Sequence, residues 1–94
     1  MQDVNDIARF ALGRIVMTSG VHRAVAADET LTALLRHAEG DWGDVCDEDR
    51  RANEEALVRG YRLFSVYYAS DNTKFWIITE HDRSYTTILL PEEY

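Results

Sequence analysis

The chain has 94 residues, a single proline, a single cysteine, and 17 acidic against 10 basic side chains, for a net charge of −7. That length holds one small domain with a modest core and excludes a two-domain enzyme. The negative balance makes phosphate neutralisation on nucleic acid a poor fit, and one cysteine excludes an internal disulfide and a multi-cysteine zinc site.

Residues 1–9 are expected to be a flexible start to a single 1–94 domain. Asp3 and Asp6, with no apolar run behind a basic start, argue against a signal peptide, so a cytoplasmic location is expected. No stretch approaches the ~20 apolar residues of a membrane span. Residues 10–18 end in Ile15-Val16-Met17-Thr18 before the Ser19-Gly20 breaker, which predicts a strand. Val21, Ala24 and Val25 then fall at i, i+3, i+4, the spacing of one or two helical turns.

A longer helix is predicted over 29–39, with Leu31, Leu34, Leu35 and Ala38 as its apolar stripe, Asp28 as N-cap and Gly40 beyond its end. Gly40-Asp41-Trp42-Gly43-Asp44 is loop chemistry. A further helix over 47–59 opens on Asp47-Glu48-Asp49, where the helix dipole favours acids, and closes at Arg59-Gly60. Its apolar residues, Ala52, Ala56, Leu57 and Val58, make one narrow face. The last third is rich in β-branched and aromatic residues and predicts strands at 61–69, 74–80 and 85–90, joined by the turns Ser70–Thr73 and His81–Ser84. Connections that short join antiparallel neighbours. The expected fold class is α+β: an antiparallel three- to four-stranded sheet, strand 10–18 on its edge, with two to three helices packed on one face.

Catalytic and metal chemistry find little support. His22, His37 and His81 lack the spacing of ligands on one helical face and read as surface or turn residues, and Cys46 lies among acids that disfavour a thiolate. No nucleophile elbow, phosphate loop or dinucleotide fingerprint is present. No enzyme activity, metal or cofactor is expected. The aromatic residues Tyr61, Phe64, Tyr67, Tyr68, Phe75, Trp76 and Tyr85 invite comparison with a base-stacking sheet, but alternate residues must fill the core and little positive charge accompanies them.

Charge placement stands out. Between Gly40 and Glu55 lie Asp41, Asp44, Asp47, Glu48, Asp49, Glu54 and Glu55, against only Arg50 and Arg51, so this segment carries five of the seven net negative charges. It is either a solvated helix start or a surface for a basic protein partner. Trp42 at its edge is either an interface anchor or a core plug.

Leu12-Gly13-Arg14-Ile15-Val16, Gly40-Asp41-Trp42-Gly43-Asp44 with Glu48-Asp49, Tyr61-Arg62-Leu63-Phe64-Ser65 and Trp76 through Tyr94 resemble a family of small proteobacterial proteins carried on plasmids and other mobile elements. The resemblance spans about residues 10–94. It departs at Met17-Thr18-Ser19-Gly20-Val21, where the family has a proline before the glycine. Some members are labelled type I restriction methylation subunits, a label this chain does not support, because it lacks an Asn/Asp-Pro-Pro-aromatic motif. The resemblance implies a mobile-element accessory protein. The expected function is a non-enzymatic inhibitor of a host defence complex, anti-CRISPR ahead of antirestriction. It would bind a basic host protein surface through the seven acids above and Trp42, with no direct nucleic acid or membrane partner. A plasmid regulatory or antitoxin-like module is the alternative, and a homodimer is left open.

Overall fold

A computed structural model describes residues 8–94. Strand β1 is Arg14–Met17, helix α1 Ser19–Ala24, α2 Ala27–Ala38 and α3 Asp47–Arg59; β2 is Leu63–Tyr68, β3 Lys74–Thr79 and β4 Tyr85–Leu89, followed by a 3₁₀ turn at Pro91–Glu93. The sheet order is β1-β4-β3-β2. The class is α+β, as the sequence predicts, and β2-β3-β4 form the expected antiparallel meander. The sheet is mixed, however: β1 pairs with β4 in parallel, Arg14 opposite Tyr85 and Met17 opposite Ile88. Three helices separate β1 from its partner, which leaves room for the crossover that a parallel pair needs.

The first strand is shorter than its apolar run. Gly13 has φ +65°, and a Cβ there would lie 2.4 Å from the Arg83 carbonyl oxygen, so the chain turns before β1 begins. Arg9 departs from the expected flexible start. Its N–H donates to the Ala38 carbonyl at 2.8 Å and its guanidinium pairs with Glu54 at 3.0 Å. Residues 1–7 lie outside the described part of the chain.

Alternation along the strands sends Tyr67, Phe75, Ile77 and Ile88 to one face, where they pack with Val21 and Val25 of the α1 segment and Ala33 of α2. α2 starts two residues earlier than predicted, with Ala26 rather than Asp28 as its N-cap. Its buried side is also rotated. Thr30, Ala33, His37 and Ala38 face inward, while Leu31 is 57% exposed. The rotation brings a polar residue, His37, to polar partners on the sheet.

α3 does not join the other helices on that face; it meets the outer edge of β2. Asn53 bonds both the N–H and the carbonyl of Phe64. Next along the strand, Val66 N–H donates to the Trp42 carbonyl and Asp44 N–H donates to the Val66 carbonyl. The outward backbone groups of Phe64 and Val66 are thereby paired, and this sheet edge is closed.

Candidate protein-binding surface

The acidic segment is held by that closed edge. Gly43 sits at φ +73° in a parallel bridge to Val66, and a Cβ there would fall 2.0 Å from the Val66 carbonyl oxygen. The tight approach fixes where the chain leaves the sheet and turns into α3. Cys46 caps the helix, its Sγ accepting from Asp49 N–H at 3.4 Å. Asp47, Glu48 and Asp49 form the first turn, on the positive end of the dipole.

Of the two readings of Trp42, the structure places it as a core plug. It is 1% exposed, stacked on Phe10 and edge-on to His37, and its indole N–H donates to Glu54 at 3.0 Å. It offers a partner no surface.

The seven acids divide. Asp41 takes two bonds from Arg36, which hold its carboxyl below the usual carboxylate range. Glu54 is bound by Arg9 and by Trp42, which lower it in the same way. Glu55 pairs with Arg59 one turn on, at 2.9 Å. Asp47 is 4.0 Å from Arg50 and its side chain is 89% exposed. Asp44, Glu48 and Asp49 are exposed and make no ion pair among the described residues. The negative surface is therefore a corner, Asp44 with Asp47, Glu48 and Asp49, and the other three acids are tied into structural contacts.

Sequence reading placed all three histidines at the surface or in turns. The structure instead buries His37 completely, in a chain of polar groups. Nδ1 meets Ser65 Oγ at 2.5 Å and Nε2 meets Thr79 Oγ1 at 2.9 Å; Thr79 Oγ1 meets Thr86 Oγ1 at 2.7 Å, and Thr86 Oγ1 donates to the Leu12 carbonyl at 2.7 Å. The carbonyl only accepts, so the proton order follows along the chain. Thr86 donates to Leu12, Thr79 to Thr86, His37 Nε2–H to Thr79, and Ser65 to Nδ1. Burial first, and the charge of Arg83 second, push His37 down to about 3, which keeps it neutral as this order requires. Ser65, His37, Thr79 and Thr86 are each fully buried, so the serine–histidine contact gives a substrate no access and joins α2 to all three meander strands. The only sequence signal for this was a run of polar residues at inward strand positions.

The sheet face opposite α1 and α2 carries Phe64, Trp76 and Ile78, and the exposed Tyr68 and Tyr85. Arg62, Phe64, Trp76, Ile78 and Tyr94 line a shallow cleft of about 180 Å³ there. The buried Trp76 indole nitrogen has no partner among the described residues.

Among the described residues, no three His, Cys, Asp or Glu side chains converge as a metal site. No helix there is long and apolar enough to cross a membrane. No family model, curated protein or solved structure matches the chain.

Proposed function

We propose that the protein is a non-enzymatic inhibitor of a host defence complex, with a CRISPR effector ahead of a restriction enzyme as its target, and that it binds a basic surface of that complex through Asp44, Asp47, Glu48 and Asp49. One observation carries the reading. These carboxylates are exposed together on a corner whose backbone is fixed by the Gly43–Val66 bridge and the α3 cap. A preorganised cluster of one sign steers an oppositely charged partner and costs little ordering on binding. The defence context rests on the resemblance to mobile-element proteins, and the basic partner on the corner.

The test is capture of purified defence complexes, a CRISPR effector and a restriction enzyme, by the immobilised protein at rising salt. Capture is expected to weaken as the Debye length shrinks from ~10 Å at ~0.1 M toward ~3 Å at ~1 M. Failure to capture either complex at low salt, or capture indifferent to salt, overturns the proposal.

A further inference from the structure

The two edges of the sheet differ. Side chain and loop pair the β2 edge, but β1 is open. Arg14 N–H donates to the Ser84 carbonyl and Thr18 N–H to the Ile88 carbonyl, so residues 14, 16 and 18 turn their backbone groups toward β4. The N–H and carbonyl of Ile15 and Met17 then face away from the sheet, with no partner among the described residues. All four residues of β1 are exposed, and Ile15, Val16 and Met17 are apolar, at 43%, 38% and 38% exposure. An open edge strand, apolar at three of its four positions and without a proline or bulge to blunt it, is a template for another strand.

The geometry points to a second copy of this chain as that strand, paired antiparallel through β1 about a two-fold axis at Val16. In that register Ile15 lies opposite Met17 of the other copy, and their outward N–H and carbonyl groups exchange bonds in two equivalent pairs. Val16 lies opposite itself as a non-bonded pair, so each face of the junction has an apolar contact. Arg14 lies opposite Thr18, and the two Arg14 side chains start four residues, ~14 Å, apart, beyond the ~8 Å Debye length at physiological salt.

Charge also favours this edge. Residues 8–26 contain three arginines and no acid, and the Glu93 carboxylate that reaches this segment accepts from Thr18 Oγ1 at 2.7 Å, so a chain of net charge −7 meets its copy where the strand itself carries no acid. The sheet order puts the α3 edge and its acids at the far side of each protomer. Because the β2 edge is closed, pairing stops at two copies and does not propagate into a fibre.

Sedimentation equilibrium of the full chain, from micromolar to near-millimolar concentration, tests the inference. The wild type is expected to dimerise reversibly. Val16→Lys sets two lysines face to face and Met17→Pro removes an outward N–H while the bonds of 14, 16 and 18 to β4 remain. Each should move the dimer midpoint at least ~10-fold in concentration, with far-UV circular dichroism unchanged. In a Cys46→Ser background, Val16→Cys should cross-link the copies on mild oxidation, since non-bonded antiparallel pairs lie ~4.5 Å apart at Cα, within disulfide reach. This arm decides the matter if either of the other variants fails to fold. A wild type that stays monomeric overturns the inference. So does a dimer that survives both substitutions, or a Val16→Cys dimer that forms without the cross-link.

Discussion

Asn53 turns both atoms of its side-chain amide onto one residue: Nδ2 donates to the Phe64 carbonyl at 2.7 Å, and Oδ1 accepts from Phe64 N–H at 3.0 Å. The pair copies the two bonds a neighbouring strand would make. A side chain thus closes a sheet edge and ties α3 to β2 at the same point.

Asn53→Ala should lose both bonds and destabilise the protein by about 2 kcal/mol, with water recovering part of the loss at this edge. Asn53→Asp should be at least as damaging, because it sets a carboxylate against the Phe64 carbonyl. Urea denaturation measures both. A change within ~0.5 kcal/mol for either would show that Asn53 does not hold the edge.

The pH dependence of stability should report His37. Its folded pKa, near 3, lies below the unfolded value of ~6.5, so between these limits the unfolded chain holds the additional proton. The stability contributed by the neutral ring is complete above ~6.5 and falls as pH drops, by ~1.4 kcal/mol per unit. Asp41 and Glu54, held low by Arg36 and Arg9, act in the same direction but only within and below the carboxylate range. Urea midpoints between about pH 6.5 and 5 therefore isolate the histidine. The wild type should lose stability across that window, and His37→Gln should be nearly flat though weaker at neutral pH. Equal slopes would contradict the buried-network account.

The helix cap offers a stabilising change. Sulfur is a weak acceptor, and Cys46 Sγ reaches Asp49 N–H at 3.4 Å. Cys46→Ser or Cys46→Asp supplies a preferred cap oxygen and should add about 0.5–1 kcal/mol, read as a higher urea midpoint. A lower midpoint would mean that the thiol contributes more by packing than by capping.

These cases show what was legible in the sequence. The acids and the glycine stop marked α3 closely, because dipole and C-cap preferences are local. The meander followed from β-branched and aromatic runs between short turns. The parallel pairing of β1 is set by contacts some seventy residues apart, between Ile15 and Thr86, and no local signal reaches that far. Leu31 shows the limit of periodicity. It sits on a well-formed stripe yet is exposed, because the satisfied hydrogen bonds of His37 decide which side of α2 turns inward. Proximity in sequence leaves Trp42 open as anchor or core plug and puts Glu54 with the acids, whereas tertiary contact buries Trp42 and sets the exposed Glu54 carboxylate over its indole N–H.

Gly43 makes the acidic corner a folded feature, not a mobile acidic loop. With its Cβ position 2.0 Å from the Val66 oxygen and φ positive, Gly43→Ala should break the bridge and cost ~1–3 kcal/mol. Thermal unfolding measures the loss. Amide exchange at Asp44 and Val66 should rise by more than elsewhere, and uniform exchange across the molecule would contradict a local role for the bridge.

The central claim is that the corner of Asp44 and Glu48 engages a host defence complex. The most direct measurement is the transformation efficiency of a targeted plasmid into cells with an active CRISPR or restriction system, with the wild-type protein or Asp44→Lys/Glu48→Lys expressed. Both sites are exposed, and the Glu48 change at the helix start costs only about 0.3–1 kcal/mol, so the variant should fold. The account predicts that the wild type raises the efficiency against one of the two systems and that the double reversal abolishes the rise at equal protein level. No rise with the wild type against either system, or equal protection by the double reversal, would contradict it.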